Sequence, residues 1–168
     1  MSRLAGLSIA VLTVLALGAS AAMGDARGDC YAKSGDAAIR ACTEAIALNP
    51  RDAVSYVNRA YEYLQKGDHA RSIADYTRAI EIDPARWDGH QGRAWALFKS
   101  GRTAEALRDA DASLKLKPNE AQTLDTRGHI LEALGRRDEA VADFRRALAI
   151  EPRLQGSRDG LKRLGAAP

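Results

Sequence analysis

Two cysteines, three histidines and three evenly spaced arginine–aspartate pairs are the residues of this chain whose types and spacing invite a chemical reading. Cys30 and Cys42 are the only cysteines. Two sulfurs without a neighbouring histidine make half of a tetrahedral metal shell, so a disulfide is the first expectation, with free thiols as the alternative. His69, His90 and His129 fall in no H-E-x-x-H, nucleophile-elbow, Walker or dinucleotide-binding pattern. Asp125, His129 and Glu132 are spaced i, i+4, i+7 and share a helix face, the one grouping with three metal-ligand types, but no outer residue stands ready to orient them. Asp109 and Asp111 lie two apart on a helical pattern and point away from each other, so they form no acid–base pair. No catalytic site, metal, cofactor or small-molecule substrate is expected.

The start of the chain reads as an address. Arg3 is followed by the apolar run Leu4–Leu17 and then by the small residues Gly18, Ala19, Ser20, Ala21 and Ala22. That is the three-part order of a secretory signal peptide over residues 1–24, with cleavage after Ala21, Ala22 or Gly24. The competing reading is an uncleaved anchor, because Leu4–Gly24 carries no charge and just reaches spanning length. Cleavage predicts a periplasmic or secreted protein. In such a compartment a Cys30–Cys42 cross-link is stable, and a loop this short gives about 3 kcal/mol on the chain-entropy model.

The elements that position these residues follow from a repeat. Pro50, Pro84, Pro118 and Pro152 recur at one constant interval, and Gly67, Gly101 and Gly135 share that period. So do Arg59, Arg93 and Arg127, each followed at a fixed distance by an aspartate, Asp75, Asp109 or Asp143. Three units result: 53–86, 87–120 and 121–154. In each, one helical pattern runs to the glycine, which enters the left-handed region without penalty. A second runs to the proline, which cannot continue a helix. Hydrophobic residues make up 46% of the chain but aromatics only 5%, a mixture rich in alanine that suits close-packed helices. Before the first unit, residues 25–52 hold a half-unit: Asp36–Leu48 matches a second helix, and a shortened first helix is capped by the cysteines. After the third, residues 155–168 hold a helix near Ser157–Leu164, with Leu161 and Leu164 on one side and charge on the other, which suits the end of a stack. The expected fold is all-α, a solenoid of antiparallel helix pairs.

With its small residues at Ala60, Ala94 and Gly128, large ones at Tyr76 and Phe144, and Ala79, Ser113 and Ala147 before the prolines, the chain resembles the tetratricopeptide repeat (TPR) family from about Gly35 to its end. It departs at the usual leucine place, which is arginine in all three units. The middle unit matches least, with His90 and Ala110 where aromatics are usual. The arginine–aspartate pairs are expected to be structural rungs, because each guanidinium already has a carboxylate.

The resemblance implies a concave face lined by first helices, and from it a partner groove of Val57, Asn58, Tyr61, Leu64, Gln91, Trp95, Phe98, Lys99, Asp125, His129 and Glu132. Tyr61, Trp95 and His129 form a column, and the third unit supplies an acidic end. These aromatics either anchor a partner or pack between adjacent helices. Members of the family that hold a C-terminal carboxylate use Lys, Arg and Asn; only Asn58 and Lys99 stand here, so that clamp is not expected. The resulting function is a non-enzymatic protein-binding scaffold or adaptor of the cell envelope. Its alternatives are a structural subunit built permanently into an envelope complex, or a membrane-anchored form. The net charge is +3 and no run of five like charges occurs, so nucleic acid is not an expected partner, and nothing predicts an oligomeric state.

Overall fold

Glycine and proline set the element boundaries. A computed structural model describes residues 25–167, so the leader or anchor reading of residues 1–24 lies outside the described part. Its helices are α1 over 25–32, α2 (Gly35–Leu48), α3 (Ala53–Gln65), α4 (His69–Ile82), α5 (Trp87–Lys99), α6 (Thr103–Leu116), α7 (Ala121–Ala133), α8 (Arg137–Ile150) and α9 (Gln155–Arg163). No strand occurs among the described residues, and none of their helices is long and apolar enough to cross a membrane. The turns between α3 and α4, α5 and α6, and α7 and α8 each place their glycine at positive φ, 76°, 82° and 74° for Gly67, Gly101 and Gly135. Side-chain caps hold several helix starts: Asp52 accepts from the Val54 N–H, Asp68 from Arg71 and Glu120 from Thr123.

From α2 onward each helix packs on the next in chain order, and α3, α5, α7 and α9 also touch in succession. The helices α2, α4, α6 and α8 make no such mutual contacts among the described residues. The array therefore curves with α3, α5, α7 and α9 on its inside. The chain is an all-α solenoid, and α9 stands where the first helix of a fourth unit would stand.

Small residues make the close stacking possible. Ala60, Ala94, Ala79, Ser113, Ala147, Ser72, Ala106 and Ala140 are fully buried at helix crossings. Between them, bulk alternates. Tyr76 presses on Gly92, where any Cβ would overlap its ring, and Phe144 presses on both Gly128 and Gly160 in the same way. One period on, the two places hold Ala110 of the middle unit and Thr126 of the third, both buried. The weak aromatic match at Ala110 is thus balanced one unit later, where threonine replaces glycine.

At the N-terminal end the same interior place holds Cys42, joined to Cys30 in a disulfide. Helix α1 buries only Ala26 and Cys30, with Arg27 pairing to Asp52 at 3.3 Å. Its attachment therefore rests on the cross-link. Cys42→Ser is expected to destabilise this end by up to about 3 kcal/mol, seen as faster amide exchange over 25–32 while α3–α8 keep their protection. Unchanged exchange at 25–32 would show that packing alone holds α1.

Candidate functional site

The arginines build a ladder along the solenoid. Arg59 donates Nε and Nη2 to Asp75 at 2.7 and 2.9 Å. Arg93 does the same to Asp109 at 2.6 and 2.8 Å, and Arg127 to Asp143 at 2.7 and 2.9 Å. The remaining Nη1 reaches back to the preceding second helix: Arg59 to Thr43 at 3.0 Å, Arg93 to Thr77 at 3.1 Å, Arg127 to Asp111 at 2.7 Å. Each rung therefore ties two adjacent second helices through the first helix between them. Sequence spacing pointed to the pairs and missed the third partner, which recurs with the same period as Thr43, Thr77 and Asp111.

The electrostatics match a saturated ladder. Hydrogen bonding to Asp75 raises the Arg59 pKa, and Asp143 followed by Asp111 raises that of Arg127 further. Burial pushes the Asp109 carboxyl up, but Arg93 and His90 hold it below its ordinary value. His90 Nδ1 lies 3.5 Å from Asp109. The ladder ends where the arginine place becomes Leu161 of α9, which is fully buried.

The concave face carries the second arrangement. Tyr61, Leu64, Gln91, Trp95 and Asp125 come together on a groove of about 480 Å³, joined by Gln65, Tyr76, Gly92, Gln122 and Thr126. Tyr61 is 52% exposed, and Trp95 is half-buried. Tyr76 belongs to the second helix α4 and forms the floor, because Gly92 leaves no side chain above it; burial pushes its phenol up. Gln91 donates to Thr126 across to the next unit at 3.2 Å.

The other expected groove residues stand elsewhere. Val57 packs on Ala60, Tyr76 and Ala96. Phe98 packs on the cluster of Ala94, Leu97, Ala106, Ala110 and Ile130, its ring centroid 5.5 Å from that of Trp95. Asn58 donates to the Cys30 sulfur at 3.9 Å. Lys99 lies over the Trp95 ring, 5.7 Å from its centroid. Both candidates for a carboxylate clamp are thus engaged within the chain.

The acidic end is not open as the sequence suggested. Arg163 donates to Glu132 at 2.9 and 2.7 Å and holds its carboxyl below the ordinary range. Ser157 donates to Asp125 at 2.6 Å. His129 Nδ1 meets Arg163 at 3.0 Å, and its ring sits edge-on to Phe144 at 5.0 Å. Among the described residues no group of three or more His, Cys, Asp or Glu is placed to hold a metal. Asp125, His129 and Glu132 instead receive α9. Arg163 stands one full period after His129, so the column runs Tyr61, Trp95, His129, Arg163. That period was legible, but a residue type that changes at every step hid it.

The tetratricopeptide repeat family model matches residues 53–85 and 121–154. No curated protein matches the chain. Among solved structures, the TPR domain of Arabidopsis OM64 is 25% identical, with 67% of this chain and 93% of that chain covered at a TM-score of 0.65. The second TPR domain of human RPAP3, solved in complex with the HSP70 peptide SGPTIEEVD, is 28% identical over 68% of this chain and 96% of that chain, at a TM-score of 0.63. A thermophilic TPR protein of Thermus thermophilus, TTC0263, shares the fold at 24% identity and a TM-score of 0.69, with 77% of this chain and 72% of that chain covered. The unit between the two matched stretches has the same helix pair, turn glycine and rung as its neighbours. The chain carries tetratricopeptide repeats, matched by the family model at 53–85 and 121–154, on the fold of solved TPR domains.

Proposed function

We propose that this protein is a non-enzymatic adaptor that holds a segment of a partner protein in its concave groove. The observation that carries the reading is the convergence of Tyr61, Leu64, Gln91, Trp95 and Asp125, from three successive first helices, on one groove of about 480 Å³. That volume lies within the range of ligand sites, and exposed tyrosine beside half-buried tryptophan is the composition of anchor positions. The RPAP3 domain, which is similar over most of its length, supports a peptide as occupant.

Trp95→Ala is expected to weaken partner binding about thirtyfold, or about 2 kcal/mol. The measurement is recovery of partners from an envelope extract beside a melting curve. Partners that co-purify equally with both chains would point to a permanently assembled structural subunit instead.

The setting we propose is the cell envelope. The Leu4–Leu17 run with its small-residue tail and the Cys30–Cys42 disulfide support export into an oxidising compartment. The mass of the protein recovered from cells tests this. A start between residues 22 and 25 agrees with cleavage, whereas a start at Met1 overturns it.

A further inference from the structure

We infer that one edge of the solenoid is a surface for a second copy of this chain, the two copies pairing antiparallel with the end of α4 in one against the end of α6 in the other. None of the residues that carry it lines the groove, so it stands apart from the reading of that groove as a partner site.

Each second helix ends on an aliphatic residue: Leu48 in α2, Ile82 in α4, Leu116 in α6 and Ile150 in α8. One period separates each from the next, so the four form a row along one edge of the array. None is packed in a core cluster. Of the six exposed large hydrophobics among the described residues, Leu48, Leu116 and Ile150 are three, each 45–46% exposed. A single exposed leucine needs no explanation, but a row repeated at every helix end is an apolar strip.

Trp87, the first residue of α5, stands at the middle of that row. The equivalent places hold Ala53 and Ala121, both buried, whereas Trp87 is half-buried. Its carbonyl accepts from Ser113 at 2.9 Å, and the Lys117 ammonium lies 3.8 Å from its ring centroid, which sets the ring beside Leu116. A partly exposed tryptophan at the centre of an apolar strip suits the anchor of a contact.

The charges that flank the row choose the occupant. Glu81 and Asp83 bracket Ile82, Lys115 and Lys117 bracket Leu116, and all four are exposed. The acidic pair stands at the end of α4, whose last turn has no basic residue, against the negative end of the helix dipole. Asp83 accepts from the Ala85 N–H at 3.2 Å. Glu81 pairs with the exposed Arg78 at 3.0 Å, a contact of little strength. Turning a second copy by half a revolution, about an axis between α4 and α6, puts Glu81 and Asp83 opposite its Lys115 and Lys117. The same rotation sets the basic pair against the acidic one, Leu48 against Ile150, and Trp87 near its own counterpart. A closed two-fold contact requires such self-complementarity. A parallel pairing would set acid against acid and base against base, which is costly. The strip is narrow, at the low end of interface size (below about 1,200 Å²), so the expected Kd is on the order of 10 to 100 µM.

The test is sedimentation velocity on the protein recovered from cells, between about 5 and about 500 µM, beside a melting curve for every variant. The chain should pass from monomer to dimer across this range. Glu81→Lys with Asp83→Lys makes both charge blocks basic, and Lys115→Glu with Lys117→Glu makes both acidic. Each of these variants alone should dimerise at least ~10-fold more weakly, and an equimolar mixture of the two should regain the affinity of the parent. Trp87→Ala should weaken the dimer ~10-fold or more. A chain that stays monomeric throughout overturns the inference. So does a dimer indifferent to both charge reversals, whose contact would lie elsewhere, or a failure of the two reversed variants to associate when mixed.

Discussion

Phe144→Ala is expected to lower the unfolding free energy by about 3 to 5 kcal/mol, the largest loss from any single core truncation in this chain. Phe144 is fully buried and packs with Leu131, Ala140, Val141 and Leu161. Its ring fills the space above two glycines from different first helices, Gly128 and Gly160. Neither neighbour has a side chain that can swing into the vacancy, so the site collapses poorly. The truncation also withdraws the surface on which Leu161 and Leu164 of the terminal helix rest. Tyr76→Ala should cost less, because Tyr76 faces one such glycine, Gly92, rather than two. The cause can be isolated by a size swap. Gly160→Thr alone overpacks against Phe144 and should cost about 1 to 3 kcal/mol. Combined with Phe144→Ala it recreates the Ala110 and Thr126 arrangement, and the pair should be at least about 1 kcal/mol more stable than the sum of the singles predicts. Denaturant unfolding of the four proteins measures this; strict additivity would mean that the alternation of bulk along the solenoid is accidental.

That alternation marks the limit of what the residues alone convey. Helix pairs, turns and rungs are legible because each depends on a local rule or a fixed spacing: glycine at positive φ, proline after a helix, arginine at a constant distance before its aspartate. The complementarity of Ala110 with Thr126 is not, since it joins residues of different units and preserves volume rather than identity. Thr43, Thr77 and Asp111 stayed hidden as ladder partners because each lies in the unit before its arginine. Asp125 and Glu132 read as an open acidic end because the groups that bond them, the Ser157 hydroxyl and the Arg163 guanidinium, lie far downstream on a helix that reads as a polar cap. Val57 and Phe98 belong to the concave pattern, yet pack inward because neighbouring alanines leave room for them. The groove that results is less charged than its sequence positions imply, with Asp125 the one charged residue of its described lining.

Removing an arginine from the ladder is the second large effect. Arg127→Ala is expected to cost about 3 to 5 kcal/mol, because it removes the two-pronged partner of a carboxylate whose side chain is 4% exposed, Asp143, leaving it only Arg146 at 3.7 Å, and leaves Asp111 without its bond. Arg59→Ala should cost less, since its backward partner is the neutral Thr43 hydroxyl. The middle rung supplies the pH signature. In the intact protein, burial works to raise the Asp109 pKa and Arg93 and His90 more than offset it, so the carboxyl sits below its unfolded value. That stabilisation is present above the unfolded pKa of about 3.9 and is lost as pH falls through the folded value. In Arg93→Ala the main lowering group is gone and burial remains, so Asp109 becomes a destabilising charge at neutral pH that protonation relieves. The stability gap between the two proteins should therefore narrow as pH falls from about 7 toward about 4. Arg93→Met with Asp109→Leu, which removes both charges, should recover most of the loss. A gap independent of pH would mean that the cost lies in lost packing rather than in the stranded carboxylate. If melting were unchanged while partner binding disappeared, the arginines would be reading a ligand instead of tying one repeat to the next.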